Sequence, residues 1–218
     1  MSQTREPGRR ELNKADKQRR IHAAALELFS RHGYSTVTTQ QVADRAEVGT
    51  GTLFRYAQSK GELLCMVANE EFRAMVETVP ETGDAVEDLV VLCEPLLVAL
   101  DRQPENIAAY HRETLFGEAG PHRAEAQRIL GELRELIAAV LAGYAGDAVT
   151  PADMAGAAQT VFDVLYMTLV RCGVERSSAS EGRRELEVHV RRVLYGVLTD
   201  RPEGGPTSDP GDGVDSTV

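Results

Sequence analysis

The chain has 218 residues, a formal net charge of −10, 42% hydrophobic residues and no tryptophan. This length suits one large domain or two small ones, and the abundance of Ala, Leu, Val, Glu and Arg favours helices. No apolar run approaches the ~20 residues of a membrane span, and no signal-peptide stretch follows the basic N-terminus. We therefore expect an all-α, cytoplasmic protein that makes no membrane contact.

The charge is distributed unevenly along the chain. Residues 1–70 hold 11 lysines and arginines against 8 aspartates and glutamates, whereas residues 71–218 hold 13 against 26. A basic N-terminal part followed by an acidic remainder (residues 71–218, the acidic body) is typical of a protein that binds a polyanion at one end. The alternative is that the basic N-terminal segment is only a solvated tail.

The N-terminal part begins with polar residues. Residues 1–14 are predicted to form a disordered basic arm. From Ala15 to His32 the apolar residues recur at helical spacing, which predicts a helix. Gly33 is expected to end this helix as a left-handed cap.

Two short helices joined by a turn are predicted next. Thr38 and Gln41 form the pattern of a capping box, and the helix that they start is expected to end near Ala46. A turn at residues 47–49 precedes a short helix over residues 50–56. Ser59 and Glu62 form a second capping-box pattern for a third helix, which continues to about Val79.

The acidic body shows five longer helical patterns and no sustained alternation typical of strands. The predicted helices cover Asp84–Asp101, Pro104–Phe116, Pro121–Tyr144, Pro151–Gly173 and Ser180–Asp200. The last stretch, residues 201–218, is rich in Gly, Pro, Ser and Asp and is predicted to be disordered. The fold class is thus an N-terminal three-helix domain (residues 15–62) joined to a larger helical domain (residues 63–200).

The two-helix pattern has the geometry of a helix-turn-helix, which places a helix end in the major groove of DNA. Thr38 and Thr39 lie at a helix N-terminus, where unpaired N–H groups attract phosphate. Thr50, Gly51 and Thr52 lie at the start of the second helix, where small polar side chains contact base edges. The same spacing also fits three packed helices with solvated polar residues.

The segment from about Arg19 to Leu64 resembles the DNA-binding domain of the tetracycline-repressor-like (TetR) family of transcriptional regulators. The elements that carry the resemblance are Ala24–Ala25–Leu28–Phe29, Gly33–Tyr34, Thr38–Thr39, Val42–Ala43, Ala46, Val48, Gly51–Thr52–Leu53, Lys60 and Leu63–Leu64. The resemblance implies that Gln40, Thr50, Gly51 and Thr52 lie nearest the bases. It also implies that Thr39, Tyr56 and Lys60 hold phosphates.

The sequence departs from the family pattern at three positions. Glu47 stands where the turn usually carries Gly, so a left-handed conformation there would cost about 1–2 kcal/mol. Phe54 replaces the usual Tyr at a DNA-contacting position, which removes one hydrogen bond to phosphate. Ala57 replaces a larger apolar residue, and neighbours such as Cys65 or Met66 are expected to fill the space.

For the acidic body, the resemblance implies a small-molecule pocket and a homodimer. The candidate pocket residues are Cys93, Leu97, Tyr110, His111, Phe116, Phe162, Tyr166 and Met167. The last two helices are expected to pair with their copies as a four-helix bundle. The candidate interface residues are Ala155, Ala158, Leu186, Val190, Val193, Leu194 and Val197. Both sets also fit an ordinary monomer core.

No metal or cofactor is predicted. Cys65, Cys93 and Cys172 are odd in number and far apart, so buried thiols are expected rather than a disulfide framework or a zinc knuckle. His111, Glu113 and His122 also lack metal-ligand spacing.

The sequence as a whole predicts a ligand-responsive repressor that dimerises on a palindromic operator and is released by a small-molecule effector. The alternatives are a transcriptional activator without small-molecule induction and a helical interaction module without DNA binding. An enzyme is not expected, because the common nucleophile, phosphate-loop, redox and zinc-hydrolase motifs are absent from the sequence.

Overall fold

The computed structural model describes residues 8–77, 81–144 and 150–199, and within these ranges it contains ten helices and no strand. The helices are α1 (Arg9–His32), α2 (Thr39–Arg45), α3 (Thr50–Leu53), α4 (Lys60–Val76), α5 (Ala85–Leu92), α6 (Glu94–Arg102), α7 (Pro104–Phe116), α8 (Pro121–Tyr144), α9 (Pro151–Glu175) and α10 (Ala179–Thr199). The all-α prediction is confirmed. None of these helices is long and apolar enough to cross a membrane.

The first helix starts earlier than predicted. It begins at Arg9, so the expectation of disorder is wrong for residues 9–14, while residues 1–7 and the tail from residue 200 lie outside the described ranges. Glu11 explains the early start, because its carboxylate accepts a hydrogen bond from the Gly8 N–H at 3.0 Å. Further along, Asp16 pairs with Arg19 and Arg20 one turn away, which also supports the helix.

The end of α1 differs from the expected left-handed cap. Gly33 has φ 77° but ψ 161°, so the chain leaves the helix in an extended direction that favours glycine. The next residue, Tyr34, then donates its N–H to the Asn106 side chain on α7 at 2.8 Å. The interaction with α7 explains why the chain does not curl back on α1.

The helices α2 and α3 form with the expected start signals. The Thr38–Gln41 capping box is confirmed. The Gln41 backbone N–H donates to the Thr38 hydroxyl at 3.2 Å, and the Thr38 backbone N–H donates to the side-chain oxygen of Gln41 at 2.8 Å. Helix α3 is shorter than predicted and ends at Leu53, after which the chain turns so that Ala57 is buried.

Only half of the second predicted capping box forms at the start of α4. The Ser59 hydroxyl accepts from the Glu62 N–H at 3.1 Å, as expected. The Glu62 carboxylate does not turn back, because it accepts instead from the N–H groups of His122 and Arg123 at 3.2 and 2.8 Å. Helix α4 itself crosses the boundary predicted between residues 62 and 63, so it belongs to both parts of the molecule.

The single helix predicted over Asp84–Asp101 is two helices in the structure. Pro95 is the reason, since its ring nitrogen cannot donate to the carbonyl of Val91 and its ring crowds that turn. The break falls at Cys93, whose N–H bonds three residues back to Val90 at 2.9 Å. This bend brings Cys93 and Leu96 to the same side of the core.

The remaining helices follow the predicted limits closely. Helices α7 and α8 match them, α9 runs two residues further to Glu175, and α10 starts one residue earlier. Gly173 allows α9 to cross closely over α7, because a Cβ there would lie 2.8 Å from the Pro104 carbonyl oxygen. The three cysteines are free and buried, as expected.

Candidate nucleic-acid interface and ligand cavity

The predicted base-contacting residues lie together at the exposed end of α2 and α3. The Gln40 side chain joins the two helices, because its amide oxygen accepts from the Thr50 hydroxyl of α3 at 3.0 Å. Its amide nitrogen donates to the Asp44 carboxylate within α2 at 2.7 Å. Gly51 is exposed, and a Cβ built there would meet no atom of the described residues within 4 Å. Packing within the chain therefore does not require glycine at this position, whereas close approach by a partner would.

The other predicted contact residues border this end. Thr38 and Phe54 are exposed, while Thr39, Thr52 and Tyr56 are half-buried. The loss of the hydroxyl at Phe54 leaves an aromatic ring that is 41% exposed. Its neighbour Arg55 is also exposed and forms no ion pair with any described residue, and sequence analysis missed it because nothing in the local pattern separates it from other surface arginines.

Lys60 and Tyr56 make contacts within the chain. The Lys60 ammonium donates to the Ser35 carbonyl at 3.1 Å and lies 4.4 Å from the centre of the Tyr34 ring. Partial burial lowers the pKa of Lys60. The Tyr56 hydroxyl donates to the Lys14 carbonyl on α1 at 3.3 Å. Both side chains are thus fixed near the surface formed by α2 and α3.

The turn between α2 and α3 adopts the strained conformation that the sequence raised as a possibility. Glu47 has φ 53°, in the left-handed region. Arg20 of α1 holds this turn, because its guanidinium donates to the carbonyls of Ala46 and Glu47 at 3.1 and 3.4 Å. Sequence analysis did not identify Arg20, since the two partners are backbone atoms 26 and 27 residues away.

Several polar contacts join the helix-turn-helix to the body. Glu62 caps α8 as described above, and the His122 ring donates from Nε2 to the Tyr56 carbonyl at 2.9 Å. The Asn69 side chain donates to the His122 carbonyl at 2.9 Å and accepts from the Tyr110 hydroxyl at 3.1 Å. The start of α8 is therefore bonded to both ends of the Tyr56–Asn69 segment.

A small apolar cavity lies in the body between α4, α6, α7, α8 and α9. Its volume is about 10 Å³, which is room for one water molecule at most. The lining residues are Phe72, Cys93, Leu96, His111, Leu130, Leu133, Phe162, Leu165, Tyr166 and Leu169. Four of the eight predicted pocket residues are among them.

The other four predicted pocket residues lie elsewhere. Phe116 is 82% exposed at the end of α7 and Met167 is 57% exposed on α9, so the expectation that these two line an internal pocket is wrong. Their helical positions point outward, which spacing alone did not reveal. Tyr110 is buried beside the cavity with its ring stacked on Phe72 at 4.4 Å, and Leu97 packs under α10 beside Gly182.

Comparison with known proteins places this arrangement in a family. Residues 21–65 match the sequence profile of the bacterial regulatory proteins of the tetR family. The HTH-type transcriptional repressor KstR of Rhodococcus jostii is 30% identical over 190 residues, which cover 86% of this chain and 87% of that protein. This chain belongs to the TetR family of transcriptional regulators.

Solved structures of TetR-family proteins share the fold. A TetR regulator from Rhodococcus sp. RHA1 has a TM-score of 0.62 and 21% identity, and covers 84% of this chain and 97% of that one. Thermus thermophilus FadR, a repressor solved in complex with lauroyl-CoA, has a TM-score of 0.56 and 24% identity, and covers 87% of this chain and all of that one. At these identities the likeness concerns the fold.

The predicted dimer residues of this TetR-family chain divide into two groups. Ala158, Leu186, Val190 and Leu194 are buried inside the chain's own core, so their assignment to an exposed interface is wrong. Periodicity identified the apolar stripe of each helix but not the neighbour that covers it. Ala155 is exposed and Val193 is half-buried, while the Val197 side chain lies outside the described residues.

A different face of α9 and α10 is open and apolar in part. Met167 and Val174 on α9 are 57% and 67% exposed, and Val188 on α10 is 45% exposed. A groove of about 610 Å³ runs between the two helices. It is lined by Thr160, Asp163, Val164, Met167, Thr168, Arg171, His189, Arg192 and Val193.

Proposed function

We propose that this chain is a transcriptional repressor that dimerises on a palindromic operator and releases it when a small molecule enters the body. The similarity to KstR supports repression, because that protein is itself a repressor. The observation that carries the proposal is the surface at the end of α2 and α3, where the Gln40 side chain bonds to the half-buried Thr50 hydroxyl and open space lies beside the exposed Gly51.

The groove between α9 and α10 supports the dimer. One helix-turn-helix reads too few base pairs for specificity, whereas a two-fold dimer places two reading helices ~34–36 Å apart on the same face of DNA. Met167 is an apolar side chain exposed on a long helix, and covering it with a second copy would remove it from water and stabilise the dimer. We assign this face to the partner copy.

Helix α4 provides a route from ligand to DNA. It carries Lys60 at its start beside the reading surface, and Phe72 on the same helix lines the cavity. A ligand that displaces Phe72 would move the helix that sets the position of the helix-turn-helix. Such a ligand shifts the equilibrium only by the difference in its affinity for the two states. A ligand with equal affinity for free and operator-bound protein would contradict this mechanism.

The test is a gel-shift titration with DNA from upstream of the protein's own gene, repeated at several salt concentrations. A repressor of this kind binds a short palindrome at nanomolar levels, and its affinity falls as salt rises.

Arg55→Ala should weaken binding to all sequences about equally and reduce the salt dependence. Thr52→Ala should instead change the sequence preference.

The matched control is Arg184→Ala on α10, which removes the same charge from an exposed site whose hydrogen bond is to Ser180 of its own helix. It should leave operator binding unchanged. If no upstream fragment binds better than random DNA, the operator proposal fails. If deletion of the gene lowers rather than raises expression of the target, the protein is an activator.

A further inference from the structure

The cavity in the body contains polar groups that have no partner among the described residues. His111 is 2% exposed and neither ring nitrogen is hydrogen-bonded, and Tyr166 is 9% exposed with a hydroxyl that also lacks a bond. The two rings meet edge to face with their centroids 4.0 Å apart. Buried polar groups are normally bonded, and leaving one unsatisfied destabilises the fold, so this pair needs an explanation.

The protonation states of the pair define what could bond to it. Burial lowers the pKa of His111 to about 3, so the ring is neutral near pH 7, with one N–H donor and one accepting nitrogen. Burial raises the pKa of Tyr166 to about 12, so its hydroxyl keeps its proton and donates. Together they offer two donors, the His111 N–H and the Tyr166 hydroxyl, and one accepting ring nitrogen.

The rest of the cavity excludes charge. Apart from this pair and Cys93, the lining consists of leucines and phenylalanines, and no aspartate, glutamate, lysine or arginine is among the lining residues. A carboxylate or ammonium placed there would lose its hydration without a counter-ion. A hydrocarbon skeleton would meet favourable contacts on nearly every side.

We infer that the cavity opens to receive the inner end of an uncharged, largely hydrocarbon effector whose single carbonyl or hydroxyl oxygen bonds to Tyr166 and His111. A carbonyl oxygen accepts from both donors, and a hydroxyl accepts from one and donates to the ring nitrogen. The inference deepens the proposed function and rests on it for the effect on DNA, but not for binding itself.

The size of the cavity fits a closed state without ligand. At about 10 Å³ it cannot hold such a molecule, so the leucines and phenylalanines of the wall must move outward for entry. The oxygen then satisfies groups that are unsatisfied in the closed state. That difference gives the ligand its preference for the open state.

The test measures binding by equilibrium dialysis with the full chain and no DNA. The probes are 2-decanone, 2-decanol, the alkene 2-methyl-1-decene, in which a methylene replaces the carbonyl oxygen, and decanoate. The ketone or the alcohol should bind about tenfold more tightly than the alkene, and decanoate should bind least. Equal affinity for ketone, alcohol and alkene, or tightest binding by decanoate, would overturn the inference.

Two substitutions separate a ligand-binding role from a structural one. Tyr166→Phe should lower affinity for the ketone about tenfold, leave the alkene unaffected, and raise the melting temperature of the free protein by removing an unsatisfied hydroxyl. Tyr144→Phe is the matched control, since its hydroxyl already donates to Asp88 at 2.6 Å on the far end of α8. It should lower the melting temperature and leave both affinities unchanged.

His111→Phe provides a second variant with the same expected pattern as Tyr166→Phe. If either cavity variant leaves the affinity for both oxygenated probes unchanged, the assignment of the oxygen to that group is wrong. Because the dialysis contains no DNA, a failure here leaves the repressor proposal standing. Conversely, if the gel shift shows no specific operator binding, the repressor proposal fails, but the affinities measured for the ketone, alcohol and alkene still test the inference.

Discussion

Glu47 combines a left-handed backbone with a position in the turn of the helix-turn-helix. Its φ of 53° is one that side chains with a Cβ adopt at a cost of about 1–2 kcal/mol. Arg20 offsets part of this cost through its two hydrogen bonds to the carbonyls of the turn. Glu47 thus adopts a conformation that favours glycine, the residue that the family pattern usually has there.

Glu47→Gly should therefore stabilise the protein by about 0.5–1 kcal/mol in urea unfolding, after allowance for the greater freedom of glycine in the unfolded chain. The control is Glu47→Gln, which removes the same charge but keeps the Cβ. Any gain in DNA affinity from lost charge repulsion should appear in both variants, while the gain in stability should appear only with glycine. Equal stability of the two variants would contradict the strained turn.

At the residue scale, sequence reasoning identified the types of residue better than their surroundings. Thr50 and Gly51 were predicted from their position at a helix start and Gln40 from the family resemblance, and the structure brings the three together at one end of α2 and α3. Arg20 and Glu62 were missed or misassigned, since their partners are more than 25 residues away in the chain. Local pattern contains no information on such contacts.

At the element scale, α4 and α8 share one buried carboxylate. Glu62 is 3% exposed, and its two oxygens accept the first N–H groups of α8, where the helix dipole favours negative charge. Because Glu62 lies in the first turn of α4, these bonds connect the start of α8 to the helix-turn-helix. The two parts should therefore unfold together.

Glu62→Gln should lower stability by about 1–3 kcal/mol, because a neutral amide can accept at only one of the two positions. Calorimetry should then resolve two transitions, with the helix-turn-helix melting below the body. The control is Glu181→Gln, which weakens a cap within α10 alone, where Glu181 accepts from the Ser178 N–H at 2.8 Å. It should retain one transition. A single transition in Glu62→Gln would show that other contacts suffice for coupling.

The limits of the helices were predictable where proline and capping residues mark them. Pro104 and Pro121 start α7 and α8 at the predicted residues, because proline is tolerated only in the first turn. The same residue type caused the main error, since Pro95 lies inside an apolar pattern that otherwise reads as one helix. The burial of Leu186 and Val190 was also beyond the sequence, because periodicity shows a stripe without showing what covers it.

At the scale of the whole molecule, the open face of α9 and α10 is the surface that we propose a second copy covers. Most of the apolar stripe that periodicity suggested, including Leu186, Val190 and Leu194, is buried instead in the core of the monomer. The exposed side chain of Met167 lies in the groove between the two helices. A charge placed there would remain in water in a monomer and would be buried in a dimer.

Met167→Glu should therefore convert a dimer to a monomer in light scattering at micromolar concentration, with unchanged helix content because the site is exposed. Operator affinity should fall with it. Phe116→Glu is the control, because it replaces another exposed apolar side chain on α7, outside this face. It should stay dimeric. A dimeric Met167→Glu variant would place the interface elsewhere.

Helix α4 links the operator-binding surface to the cavity, so bound operator DNA is expected to change the affinity for the effector. Lys60 at its start and Phe72 in the cavity wall belong to the same helix, so in the proposed mechanism a movement at one end is transmitted to the other. If the effector releases DNA as proposed, thermodynamic reciprocity requires DNA to weaken effector binding by the same factor by which the effector weakens DNA binding. The concentration of effector needed for induction would thus rise with the number of operator copies in the cell, so the promoter itself would help set the threshold at which it is switched on.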